Sequence, residues 1–332
     1  MRYYLKKTIA IYKQDNKICL GRVDSENDYL EINYNEEHVA KINNVIKFGI
    51  KKKEDTFFFN LLMSKDFLEN FYNETNKRND LFVSYITKNK INKNLLSKKI
   101  LIFGAGGGGG TLTYMLAQFG FNNITVIDFD KVDFSDIEKT MVFDKSMNGV
   151  SKVEALKQKI KINFSLNIST FDEKLIEFDD LDNFISNIKP DFIIKAADPK
   201  GIFVKNLNNI CFSREIPYIQ MAYSYEHIKI GPILVPKITS CNEFISQENT
   251  KFYGSHYEID KFERMFENYF IHPSVSFNIN ILASIILKEV VFFLLEEFEY
   301  CETIGRMIIL NTLNFDKKTY LFNCNQECDV CK

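Results

Sequence analysis

Residues 99–130 read KILIFGAGGGGGTLTYMLAQFGFNNITVIDFD, and this stretch decides the fold. KILIF is a short apolar run, the signature of a strand buried on both faces of a sheet. GAGGGGG reads as a turn. TLTYMLAQFGF then places Leu112, Met115, Leu116 and Phe119 on one helical face, with Gly120 positioned to end the helix. NITVIDFD is a second strand that ends in acidic residues. Outward from this unit, VEALKQKIKINF predicts a helix, DFIIKAAD a strand, VKNLNNICFSRE a helix and PYIQMAY a strand. That alternation predicts an α/β domain with a doubly wound, mostly parallel, Rossmann-like sheet and helices on both faces.

The glycines carry the first chemical signal. Gly104, Gly106 and Gly109 satisfy G-x-G-x-x-G, and Gly107 is also available. Glycine allows a tight turn and lets phosphate oxygens reach main-chain N–H groups, and the helix start adds partial positive charge. Asp128 ends the next strand, where a carboxylate can accept hydrogen bonds from ribose hydroxyls. This pattern serves NAD as well as ATP, and it does not identify the reaction.

N-terminal to this unit the pattern differs. Residues 1–75 hold three short strands, TIAIYK, KICLGRV and DYLEINY, followed by helical runs HVAKINNVIKFGI and FFFNLLMSKDFLENFY. We expect a small winged-helix-like domain here, with Phe57, Phe58 and Phe59 in its core. Residues 76–95 read as a polar linker, and residues 96–332 as the α/β domain.

Composition bounds the partners. The 332 residues carry 42 basic and 44 acidic side chains, a net charge of -2, which gives no electrostatic case for nucleic acid. The start, MRYYLKKTIAIYK, lacks the apolar stretch of an export signal. The apolar run from Ile279 to Leu295 is interrupted by Lys288 and Glu289 and reads as a buried helix, not a membrane span. A cytoplasmic location is expected. Seven cysteines without an export signal argue against a disulfide framework, and the late cluster reads as metal ligands. His227, His256 and His272 show no ligand spacing, and Cys211 and Cys301 read as core.

Downstream of the glycines lie four further segments: Asp128 with Asp130, Ser135 to Lys139, Gly149 to Lys152, and Asp198 in KAADPK. Their types and order resemble the ThiF/MoeB family, to which the ubiquitin-activating enzymes belong. Within it the chain is most similar to the microcin C-type peptide-adenylating enzymes, over nearly its whole length. The resemblance implies an adenylyltransferase that converts ATP to AMP and pyrophosphate, uses Mg²⁺, and works as a homodimer. Its N-terminal domain would clamp a peptide substrate. It further implies that Lys152 and Lys139 contact the phosphates. Asp198 would hold Mg²⁺ or orient the reacting groups, and Asp128 the ribose. Arg78, in KRNDLFVSY, would reach the partner subunit's ATP. Two positions depart from the family: its Asn is Asp136 here, and its Arg is Lys139. Lysine keeps the charge but loses the planar fork, while Asp136 sets a carboxylate beside phosphates, which repels them unless Mg²⁺ lies between.

The family's structural zinc uses two Cys-x-x-Cys pairs. Cys328 and Cys331 form one; Cys241 matches half of the other, whose second position is Phe244, and Cys324 is near enough to complete a tetrahedral set. No cysteine stands where ubiquitin-activating members place a thioester-forming residue. Two other functions fit the same segments. One is a catalytically weak or inactive leader-peptide scaffold serving a separate cyclodehydratase, consistent with Asp136 and Lys139. The other is activation of a sulfur-carrier protein, against which the extra N-terminal domain speaks.

Overall fold

A computed structural model describes residues 1–21, 28–70, 77–87, 94–197, 202–242, 273–321, 328 and 330. It divides into two compact units, Met1–Ile91 and Asn92–Lys332. The first unit contains strands β1 (Tyr4–Leu5), β2 (Ile11–Gln14), β3 (Lys17–Gly21), β4 (Tyr29–Asn33) and β5 (Leu68–Glu69). Its helices are α1 (Glu36–Phe48), α2 (Thr56–Ser64) and α3 (Arg78–Ile86). Strands β2, β3 and β4 form an antiparallel sheet in that order, and β1 pairs with β5.

Local chemistry explains the helix ends. Asn35 accepts a hydrogen bond from His38 N, and Asp55 accepts one from Phe58 N, so each caps a helix start. Ile18, Leu20, Ile42, Val45, Phe58, Phe59 and Leu62 build the core between sheet and helices. Phe57 departs from expectation: it is 79% exposed. Successive helical residues diverge by about 100°, so three adjacent phenylalanines cannot share one face. The second helical run also ends earlier than its apolar pattern implied. It stops at Ser64, and Leu68–Glu69 turns into a strand against β1. Part of the segment read as a linker is the helix α3.

Glu69 is buried in β5, and burial raises its pKa more than nearby Lys6 and Lys7 lower it. A folded pKa above the unfolded value makes a stabilising contribution at low pH that is lost as pH rises through the folded pKa. Glu69→Gln removes that loss. The variant is expected to melt above the native protein at pH 7 but not at pH 4, measured by paired thermal scans.

The second unit is an eight-stranded sheet. Strands β6 (Ile100–Phe103), β7 (Ile124–Ile127), β8 (Ser169–Phe171), β9 (Phe192–Lys195) and β10 (Tyr218–Ser224) are parallel, in the order β8-β7-β6-β9-β10. Strands β11 (His227–Leu234), β12 (Arg306–Asn311) and β13 (Lys317–Leu321) extend it antiparallel beyond β10. Every residue of β6, β7 and β9 is buried. The strand order reverses between β6 and β9, the switch point at which open α/β sheets bind ligands.

The helices are α4 (Gly107–Phe119), α5 (Phe134–Lys139), α6 (Lys152–Phe164), α7 (Phe178–Ile188), α8 (Ile202–Ser213) and α9 (Ser276–Leu294). Helix α4 ends at Gly120, in the left-handed conformation. Helix α9 is the one described helix long and apolar enough to cross a membrane, yet it packs on α4, β10 and β11. Glu289 of α9 is fully buried. Its carboxylate accepts hydrogen bonds from Glu302 N at 3.1 Å, Thr303 N at 3.0 Å, Thr303 Oγ1 at 2.6 Å and Lys288 Nζ at 2.8 Å. A satisfied buried carboxylate of this kind belongs to a protein core. Cys211 is buried in α8 as expected, whereas Cys301 is only partly buried, in the connection after α9.

Candidate active site

The turn after β6 is shorter than the glycine run implied: Gly107 to Gly110 already form the first turn of α4. Two glycines are fixed by close backbone approach. Gly104 sits at φ +103°, and a Cβ there would lie 2.6 Å from Ala197 N, at the end of β9. A Cβ on Gly109 would lie 2.0 Å from Gly104 O. Only glycine lets α4 start this near the strand it follows. Gly106 is different: a Cβ there would meet none of the described residues within 4 Å. A Cβ on Gly107 would meet Ile279 of α9, and one on Gly108 would meet Met221 of β10. Among the described residues the helix start is therefore packed on one side and open at Gly106. Its first N–H groups have no partners within the helix.

Asp128 braces this turn. Its Oδ2 accepts a hydrogen bond from Ala105 N at 2.6 Å, and its Oδ1 accepts one from Asp130 N at 2.9 Å. Asp130 in turn lies 3.4 Å from Lys152 Nζ, and the Lys152 N–H donates to Asp130 O at 2.9 Å. A continuous relay thus runs from the glycine turn through two aspartates to the first residue of α6. Each carboxylate oxygen of Asp128 retains acceptor capacity for a hydroxyl.

Asp136 enters the same cluster from α5. It is 3% exposed and forms a reciprocal capping box with Asp133. Its Oδ2 lies 3.3 Å from Lys152 Nζ and its Oδ1 3.9 Å from Lys139 Nζ. Burial alone would lower the Lys152 pKa, but the carboxylates of Asp136, Asp130 and Asp128 overcome it and the net shift is upward. Lys152 stays protonated. Thr111 of α4 and Thr140 after α5 meet at 3.0 Å between hydroxyl oxygens, which fixes α5 against α4.

Of the residues expected to act together, the structure joins Gly104, Gly106, Gly107 and Gly109 with Asp128, and Asp136, Lys139 and Lys152 with Asp130. Asp198 lies outside the described residues, although the two alanines before it touch the glycine turn. Arg78 is exposed at the start of α3, in the first unit. Cys241 and Cys328 place their sulfurs 3.4 Å apart, close to the roughly 3.8 Å that tetrahedral zinc–sulfur geometry imposes. Cys324 and Cys331 lie outside the described residues, as do His256 and His272. Among the described residues no group of three or more His, Cys, Asp or Glu side chains could hold a metal.

Sequence reading named Asp130 without its contact to Lys152, and did not single out Met221, Ile279 or Lys195. Asp130 is the pivot between Asp128 and Lys152. Met221 and Ile279 wall the helix start. Lys195, buried at the C-terminal end of β9, pairs in register with Phe103. The charged residue closing an otherwise apolar FIIK run was the available signal for the last.

A glycine turn at the switch point, an acid at the end of the second strand and a lysine at the start of α6 are brought together in a Rossmann-like domain. Residues 78–330 match the ThiF family, and the chain belongs to it. It is 34% identical over 125 residues to SUMO-activating enzyme subunit 2 of Dictyostelium discoideum, covering 37% of this chain and 18% of that protein. It is 31% identical over 130 residues to molybdopterin-synthase adenylyltransferase of Haemophilus influenzae, covering 39% and 51%. The chain thus spans from under a fifth to about half the length of these curated relatives. Among solved structures, Escherichia coli MccB with AMPCPP and MccA superposes over all of both chains with a TM-score of 0.73 at 20% identity. PaaA covers 96% of this chain and 99% of its own at a TM-score of 0.71 and 20% identity.

Proposed function

We propose that this chain is an ATP-dependent adenylyltransferase acting on the C-terminal carboxylate of a ribosomally made peptide. The carrying observation is the relay from the open glycine turn through Asp128 and Asp130 to a protonated Lys152. Fixed N–H groups and a fixed cation suit a triphosphate, whose charge must be held while bonds exchange.

In this reading the peptide carboxylate oxygen attacks the α-phosphorus of ATP, and the bond to the β-phosphate oxygen breaks. The products are the peptidyl adenylate and pyrophosphate. The α4 amides and Lys152 hold the phosphates, Lys139 adds charge, and Asp128 takes the ribose hydroxyls. Asp198 would hold Mg²⁺, which neutralises phosphate charge when bound. Cys241, Cys324, Cys328 and Cys331 would hold a structural zinc, a role supported by the short Cys241–Cys328 separation. Arg78 would complete the site of a partner subunit in a homodimer, and a cytoplasmic location follows from the ribosomal substrate.

The peptide substrate is favoured by the first unit, since a solved neighbour that matches over its full length carries MccA alongside a nucleotide analogue. The edges of its three-stranded sheet offer strand addition to an extended peptide. The relatives named for molybdopterin synthase and SUMO keep a protein substrate in view. Pyrophosphate release separates these readings. Peptides ending in a free Asn carboxylate are expected to stimulate it, and their C-terminal amides are not. Peptide binding without pyrophosphate would leave a leader-binding scaffold. Release only with a carrier ending in Gly-Gly would make the chain a sulfur-carrier activator.

A further inference from the structure

The Asp136 carboxylate stands where an amide would satisfy the same helix cap. Its Oδ2 already accepts a hydrogen bond from Asp133 N at 3.2 Å, a bond an asparagine oxygen can also accept. The cap therefore does not require its charge. The charge instead meets Lys152 at 3.3 Å and Lys139 at 3.9 Å, with a side chain only 5% exposed. Asp130 faces the same Lys152 ammonium from the β7–α5 connection at 3.4 Å.

We infer that Asp136 is a positioning residue that holds Lys152 and Lys139 in an internally neutralised cluster, fixing their geometry at the expense of nucleotide affinity. This inference rests on the nucleotide reading of the site given above. Three carboxylates, Asp128, Asp130 and Asp136, act on the Lys152 ammonium, and Asp136 alone of the three is paired with Lys139 as well. Incoming phosphate oxygens must compete with carboxylate oxygens for the same N–H donors. An asparagine at 136 would remove one of these three negative charges, the one nearest Lys152, and would free one face of the Lys152 ammonium. Low exposure makes the effect strong, because a charge this enclosed is poorly screened.

The test is calorimetric titration of MgATP into the native protein, Asp136→Asn, Lys152→Gln and the double variant. Melting temperatures are measured alongside. Asp136→Asn is expected to keep the cap and bind MgATP about tenfold more tightly, with a steeper loss of affinity as salt rises. In the Lys152→Gln background the gain from Asp136→Asn should shrink to about twofold or less, because it acts through the lysine. In the peptide assay, Asp136→Asn should lower KM for ATP and also lower kcat, the split expected when alignment is lost but charge is gained. A purely structural role would move the melting temperature and leave the cycle additive. Unchanged or weaker MgATP binding by Asp136→Asn, while Lys152→Gln weakens it, overturns the inference and leaves the nucleotide reading intact. No MgATP binding by the native protein overturns both. Should Asp136→Asn fail to fold, Asp130→Asn removes a second carboxylate from Lys152 at an exposed position and must tighten binding in the same direction.

Discussion

Gly109→Ala is expected to cost the second unit more than 3 kcal/mol, and to leave little folded protein at 37 °C. Two effects oppose each other. Alanine inside a helix is favoured over glycine by about 1 kcal/mol. Against this, the new Cβ would lie 2.0 Å from Gly104 O and 3.0 Å from the Ala196 Cβ. The first contact is with backbone, at the end of a buried strand, so no side chain can rotate away. Relief requires α4 to withdraw from β6 and β9, which breaks packing along the whole helix. The contact term wins by several kcal/mol. Gly106→Ala provides the contrast, because none of the described residues lies within 4 Å of its Cβ. Its melting temperature should stay within about 2 °C of native, while the methyl group enters the space proposed for phosphate. Thermal scans of both variants check the pair. Equal melting temperatures for Gly106→Ala and Gly109→Ala would contradict the packing described.

Lys152→Gln is the second large effect, and it has two separable parts. Removing the ammonium leaves Asp136, 5% exposed at its side chain, with Lys139 at 3.9 Å as its remaining cationic partner among the described residues. Breaking a buried ion pair from one side costs about 3 kcal/mol. The proposed chemistry should suffer more. Loss of a fixed cation on the phosphates is expected to reduce pyrophosphate release by about 10²–10³-fold. Assaying well below the variant's melting temperature separates the two, since the folded fraction is then near unity. A variant that melts lower but turns over at the native rate would make Lys152 a structural lysine only.

Much of the second unit was legible because its strands are short, apolar and interrupted by chemistry. ILIF, ITVI and FIIK are buried throughout, and only a two-sided sheet interior accepts such runs. The stretch between Ser165 and Ile188 gave no comparable signal. Strand β8 has only three residues and lies at the sheet edge, and helix α7 is punctuated by acids on its solvent side. The glycine run showed that backbone must approach backbone, but not where the helix begins. That depends on Met221 and Ile279, which are distant in sequence. The partners of Asp136 were hidden for the same reason. The sequence sets its carboxylate three residues before one lysine and sixteen before another, and only the fold brings both to it. The zinc reading extends no further than Cys241 and Cys328, the two members of the set within the described residues.

The most direct test of the central proposal is parallel calorimetry of the native protein and Gly106→Ala with MgATP and with NAD. The account predicts that the native protein binds MgATP and not NAD, and that Gly106→Ala loses MgATP while melting like the native protein. Binding of NAD without MgATP, or unchanged MgATP affinity in Gly106→Ala, would contradict it.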